Sequence, residues 1–65
     1  MGKSEKLADV DKRIRDVEAS VATLKQELEG LKDHTQVYLR VRALIAFGES
    51  SLVGLRAQRA KLEAQ

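Results

Sequence analysis

Apolar residues recur at alternating intervals of three and four along the first half of the chain. This heptad pattern is typical of a helix that packs along a seam against another helix. Eight successive core positions are apolar, and the pattern then continues through Thr35 to a tyrosine. We expect these residues to form an oligomer seam: Leu7, Val10, Ile14, Val17, Val21, Leu24, Leu28, Leu31 and Tyr38.

The charged residues beside this seam predict its orientation. With Leu7 at position a, each g residue of a parallel coiled coil faces the e residue five positions later in its partner. Such pairs in residues 6–32 include three of opposite charge and none of like charge: Lys6–Asp11, Arg13–Glu18 and Glu27–Lys32, with Ser20–Lys25 as the fourth pair. We therefore expect residues 1–36 to form a parallel coiled-coil helix in a homo-oligomer. The core residues do not distinguish a dimer from a trimer.

Gly30 leaves two interpretations of this segment open. The seam continues through it, and a glycine inside a helix costs only about 1 kcal/mol. The favoured prediction is therefore an uninterrupted helix from Ser4 to Gln36. The alternative is that Gly30 ends the first helix, which gives a hairpin of helices 4–29 and 34–64.

The apolar register changes in the second half, residues 37–65. The best stripe there is Tyr38, Val41, Ile45, Gly48, Leu52, Leu55, Arg59 and Leu62. Other apolar residues lie outside that stripe, and a helix that is apolar this far round is buried on more than one side. Gly48 followed by Ser50 and Ser51 predicts a turn near residues 48–51, so that helix 37–47 folds back on helix 51–65. The predicted second core is Val41, Ile45, Phe47, Leu52 and Leu55.

Length and composition agree with an all-α oligomer. The chain has 65 residues, no Cys, no Pro and one His. A domain of this size buries a small core, and disulfides, a metal or oligomerisation usually complete its stability. The lack of Cys excludes disulfides and thiolate metal sites, and a single His excludes a His-rich one. We predict an all-α oligomeric helical bundle, in which a parallel coiled-coil N-terminal helix precedes a shorter helix or helical fold-back.

The net charge of +2 is distributed unevenly along the chain. Residues 1–33 carry seven basic and eight acidic side chains, whereas residues 34–65 carry five and two. The predicted turn near residue 49 would gather four arginines into a band, and guanidinium groups suit carboxylate or phosphate partners. The alternative is that their stems lie along apolar surface and their charged ends reach water. These candidates for an anion or nucleic-acid contact are Arg40, Arg42, Arg56 and Arg59.

Two local resemblances to known families accompany these patterns. Residues 46–52 followed by 56–59 resemble a helical segment of TolC-type outer-membrane efflux proteins, although the spacing needs gaps and the rest of such a protein is absent. In length and helix content the chain is similar to the Rop-type RNA-binding four-helix bundle, from which its strict heptads and longer tail depart. The residues that match the second helix of that family are Leu31, Asp33, His34 and Arg40. This second resemblance implies RNA binding.

No spacing typical of a catalytic, cofactor or metal site occurs, and we do not expect an enzyme. His34 is expected to be exposed or to cap a helix. No segment reaches the roughly 18 apolar residues of a membrane span, and no secretory apolar region follows the N-terminus. We expect a cytoplasmic protein.

The expected function is oligomerisation or scaffolding, in which the chain holds copies of itself or a larger partner in register. One alternative is a small nucleic-acid-binding bundle that uses the four arginines, although scarce aromatics and a low net charge argue against it. The other is a small accessory subunit that docks on a larger protein.

Overall fold

The protein is a hairpin of two long helices. The computed structural model describes residues 2–65, with α1 spanning Lys3–Glu29 and α2 spanning Thr35–Ala64. The helices lie side by side in antiparallel directions, and the hairpin is 49 Å long. At its open end, Lys3 Nζ donates hydrogen bonds to the carbonyl oxygens of Glu63 and Gln65, at 3.0 and 2.9 Å. The predicted all-α class is confirmed for the described residues.

The chain turns between the two helices at residues 30–34. Here the backbone N–H groups of Gly30, Leu31 and His34 each donate to the carbonyl three residues earlier, over 3.1, 3.1 and 2.9 Å. Such bonds tighten the end of an α-helix. The favoured prediction of one helix over residues 4–36 is wrong, and the hairpin alternative is confirmed. The physical reason is that a turn at Gly30 lets the apolar stripes of the two halves cover each other.

The core lies between these two facing stripes. Four half-buried residues pack around the buried cluster of Val21, Val41 and Ile45. They are Val17, Leu24 and Leu28 of α1 and Leu31 of the turn. Every residue of the stripe predicted for α2 is buried or half-buried, as is every α1 residue of the predicted seam. The seam thus packs against α2 of its own chain. The buried side chains are Val10, Val21, Val41, Ile45 and Leu52.

Gly48 keeps α2 continuous where the sequence predicted a turn. A Cβ at this position would lie 2.6 Å from Cγ2 of Val21 and 3.8 Å from Cγ1 of Val17. Because Gly48 has no side chain, the two helices approach closely here. The predicted turn near residues 48–51 is wrong, and so is the fold-back of residues 37–47 on 51–65. Leu52 is buried against α1 only when the helix continues.

Two predicted core residues lie elsewhere. Phe47, assigned to the second core, has 74% of its surface exposed, because each residue is rotated by about 100° from the next around a helix. This rotation carries Phe47 away from Gly48 and the buried stripe. Tyr38, assigned to the end of the α1 seam, lies on α2 and is half-buried at the start of the α2 stripe.

A pair of matched glycine substitutions tests the close contact of the helices. We expect Gly48→Ala to destabilise the fold by about 1–3 kcal/mol, since Val21 is β-branched and has no free rotamer to move into. Gly54→Ala is the control, because no described atom lies within 4 Å of a Cβ there. Measured at protein concentrations where the hairpin is monomeric, that control should stabilise the helix by about 0.5–1 kcal/mol. The free energy of unfolding in urea is the measurement, and a stabilising Gly48→Ala would contradict the contact.

Candidate functional site

Three charged α1 residues line one side of the hairpin at heptad spacing. Across the helix interface, Lys25 pairs with Glu49 at 3.3 Å and Glu18 pairs with Arg56 at 3.3 Å. The third pair, at the open end, joins Asp11 and Arg59. Together these three pairs form what we call the charged flank. All three α1 members occupy the e positions that were predicted to face a parallel partner, and they pair with α2 of the same chain.

Arg59 makes the closest ionic contacts of this flank. Its Nε donates to Oδ1 of Asp11 and its Nη1 to Oε1 of Glu63, both at 2.5 Å. The hydrogen bond and charge of Asp11, and then the charge of Glu63, raise the pKa of Arg59 above its ordinary value. The pKa of Arg59 is thus higher in the folded state than in the unfolded state. Its contribution to the stability of the fold is therefore fully present below the ordinary arginine pKa and is lost only in stronger base. The side chain is 39% exposed, so water screens the interaction.

The predicted arginine band does not form. It required a turn near residue 49, whereas Arg42 and Arg56 lie on one continuous helix, about 21 Å apart along its axis. Arg42 instead lies over the ring of Tyr38, with its guanidinium carbon 6.0 Å from the ring centroid. Arg56 and Arg59 bond to carboxylates, and Arg40 is exposed. The four residues therefore offer no shared anion site, and their contact with nucleic acid stays an untested prediction.

Large apolar side chains are exposed on α2, away from its contact with α1. Phe47 is 74% exposed and Val53 is 68% exposed. Beside Phe47, an open groove of about 260 Å³ passes between the helices and is lined by Val17, Leu24 and Leu44 among others. The exposed large apolar side chains are Val37, Leu39, Leu44, Phe47 and Val53, all on α2. Exposed apolar surface of this extent is typical of an interaction site.

The sequence alone did not predict which apolar residues the hairpin leaves exposed. It assigned association to the α1 seam, which α2 covers, and assigned Phe47 to the interior. The signal for the exposed surface was present in the width of the apolar face of residues 37–55. It could not be assigned to one side until the direction of the hairpin was known.

The described residues form no cluster suited to binding a metal ion. Within residues 2–65 no group of three or more His, Asp or Glu side chains could hold a metal ion. His34 lies exposed immediately before α2, where its backbone carbonyl accepts from the N–H of Tyr38 at 2.8 Å. Neither helix, over the part of the chain described, is long and apolar enough to cross a membrane.

The charged flank predicts a salt-dependent stability. We expect Asp11→Asn to lower the thermal midpoint more than Asp9→Asn, because Asp9 pairs only with Arg13 of its own helix, at 3.3 Å. This difference should shrink between about 0.05 M and about 1 M NaCl, because the Debye length falls to about 3 Å at the higher concentration. Thermal unfolding followed by circular dichroism measures both variants. Equal losses at every salt concentration would show that the Asp11–Arg59 pair does not join the helices.

No protein-family model, no curated protein and no solved structure matches this chain significantly. The two sequence resemblances accordingly stay predictions.

Proposed function

We propose that this chain is a structural protein that self-associates and holds copies of itself in register. The observation that carries the proposal is the number of large apolar side chains that α2 leaves exposed, among them Leu39, Leu44, Phe47 and Val53. Burying one such side chain is worth about 1.5–3 kcal/mol. A hairpin this small buries few residues fully, so association that covers α2 would add substantially to its stability.

Self-association is also the role expected from the sequence, but here the exposed residues of α2 perform it and not the α1 seam. The α1 seam from Leu7 to Leu31 packs against α2, and the α1 charges predicted to select a parallel partner pair within the chain. Association through α2 leaves all of these contacts intact. It therefore requires no opening of the hairpin.

The same surface would also suit a small accessory subunit docked on a larger protein. Nucleic-acid binding has less support, because Arg56 and Arg59 bond to Glu18 and Asp11 and are partly neutralised by them. It would also predict binding that weakens steeply with salt, whereas apolar association changes little. The cytoplasmic location stays a prediction from the sequence.

Molar mass by light scattering after size exclusion, over a range of concentrations, tests the proposal. We expect a mass that is a multiple of the 7.2 kDa chain. Phe47→Glu should raise the dissociation constant about tenfold or more, because a charge replaces an apolar ring at the interface. Its helix content by circular dichroism should not change, since residue 47 is exposed in the hairpin.

Ala8→Glu is the matched control for this substitution. It introduces the same charge at an exposed position of α1, and it should leave association unchanged. A monomer at all concentrations would overturn self-association. Equal association of the Phe47→Glu variant and the wild type would exclude this surface of α2.

A further inference from the structure

A second heptad ladder runs along the outer side of α2, which faces away from α1. Its positions follow one another at intervals of four and three over the whole helix, and each is exposed. None carries a charge. We call these residues the outer ladder: Leu39, Ala43, Ala46, Ser50, Val53, Ala57, Ala60 and Ala64. The ladder spans about 38 Å at 1.5 Å per residue, and alternating spacings of this kind are those of a coiled-coil seam.

The outer ladder matches itself when a second copy runs in the antiparallel direction. When Ser50 lies level with Val53 of the second copy, all the remaining residues of the outer ladder also lie level with a ladder residue of that copy. Ala43 then comes level with Ala60, and Leu39 with Ala64, so the larger side chains lie opposite small ones. A two-fold axis near residues 51–52 relates the two halves, as an isologous dimer requires.

The charges beside the ladder favour this antiparallel arrangement. In it, residues on this side of the ladder meet with an offset of two residues, about 3 Å along the axis. Arg42 then lies opposite Glu63 of the second copy, and Glu49 lies opposite Arg56. Two-fold symmetry repeats both pairs, so all four are opposite in charge. In a parallel arrangement Arg42, Glu49 and Arg56 would face Phe47, Gly54 and Lys61. Counted with symmetry, this gives no attraction and two repulsions, both between Arg56 and Lys61. Charge complementarity therefore selects a second copy of this chain, antiparallel, as the occupant.

These charged groups have room for a further partner. Glu49 and Arg56 already pair within the hairpin, yet 53% and 58% of their side chains remain exposed. A carboxylate accepts several hydrogen bonds and a guanidinium donates up to five. The pairs within and between hairpins would thus join into one network along the charged flank.

The other side of the ladder accommodates the large exposed ring. With the same two-residue offset in the other direction, Phe47 lies opposite Gly54 of the second copy. Apart from the neighbouring residues and backbone of α2 itself, no described atom lies within 4 Å of a Cβ at Gly54. A glycine on the facing helix leaves space for an aromatic ring to lie against its backbone. The like charges Arg40 and Lys61 lie opposite each other with the same offset, and only near the two ends of the contact, where long side chains reach water.

We propose that two hairpins associate through antiparallel contact of their outer ladders, with α2 against α2 and α1 on the outside. This inference depends on the proposed self-association and specifies its surface, direction and register. It also accounts for the contrast between the helices, since the outer side of α1 is polar and that of α2 is apolar.

Disulfide cross-linking tests the register, because the chain has no Cys. Ala43→Cys and Ala60→Cys are made as separate variants, and each is oxidised alone and after mixing. Residues 43 of two antiparallel copies lie about 25 Å apart along the axis, well beyond the 7 Å limit for a disulfide between Cα atoms. We expect no cross-link in either variant alone and a 43–60 cross-link in the mixture, identified by mass spectrometry. Ala19→Cys, on the exposed side of α1, is the matched control and should cross-link with neither.

Light scattering on the same unoxidised samples separates the two proposals. A dimer that gives only 43–43 and 60–60 cross-links would overturn the antiparallel direction and leave self-association standing. A dimer without cross-links at either position would overturn the outer ladder as its interface. A monomer at every concentration would overturn both proposals.

Discussion

The structure depends on the contact between α1 and α2 at Gly48. At this point the α2 backbone lies against Val21, close enough that a methyl group in place of the glycine hydrogen would overlap it. The apolar side chains on either side, from Val10 to Leu31 on α1 and from Val41 to Leu52 on α2, are covered because the axes are this close. An isolated helix cannot bury its own stripe. The fold is therefore the mutual burial of two stripes.

Electrostatics supports this packing along one side only. Asp11, Glu18 and Lys25 each find an opposite charge on α2, and the sign changes from acidic to basic along α1 in step with α2. Each exposed pair contributes little, about 0.2–1 kcal/mol. Together the pairs fix the register of the two helices, because sliding α2 by one heptad along α1 would separate each charge from its opposite partner.

The other side of the hairpin has no ion pair between the helices among the described residues, and large apolar side chains are exposed there. Leu44 and Phe47 border the groove there, and Leu39 and Val53 extend the exposed surface to the outer side of α2. Helix α2 thus packs against α1 through one apolar stripe and leaves a second apolar stripe exposed. A helix with apolar residues on two sides is expected to contact two neighbours, and the hairpin supplies only one.

The sequence alone determined the all-α class, both buried stripes and the two places where a turn was possible. These follow from local spacing, which needs no knowledge of what the stripes face. It could not choose between a parallel partner and the chain itself, because Asp11, Glu18 and Lys25 have opposite charges available in both arrangements. Nor could it distinguish the glycine that ends a helix, Gly30, from the glycine that permits a helix contact, Gly48. Only the tertiary structure decided these points, since burial and pairing depend on which surfaces meet, and that in turn placed Phe47 outside the core.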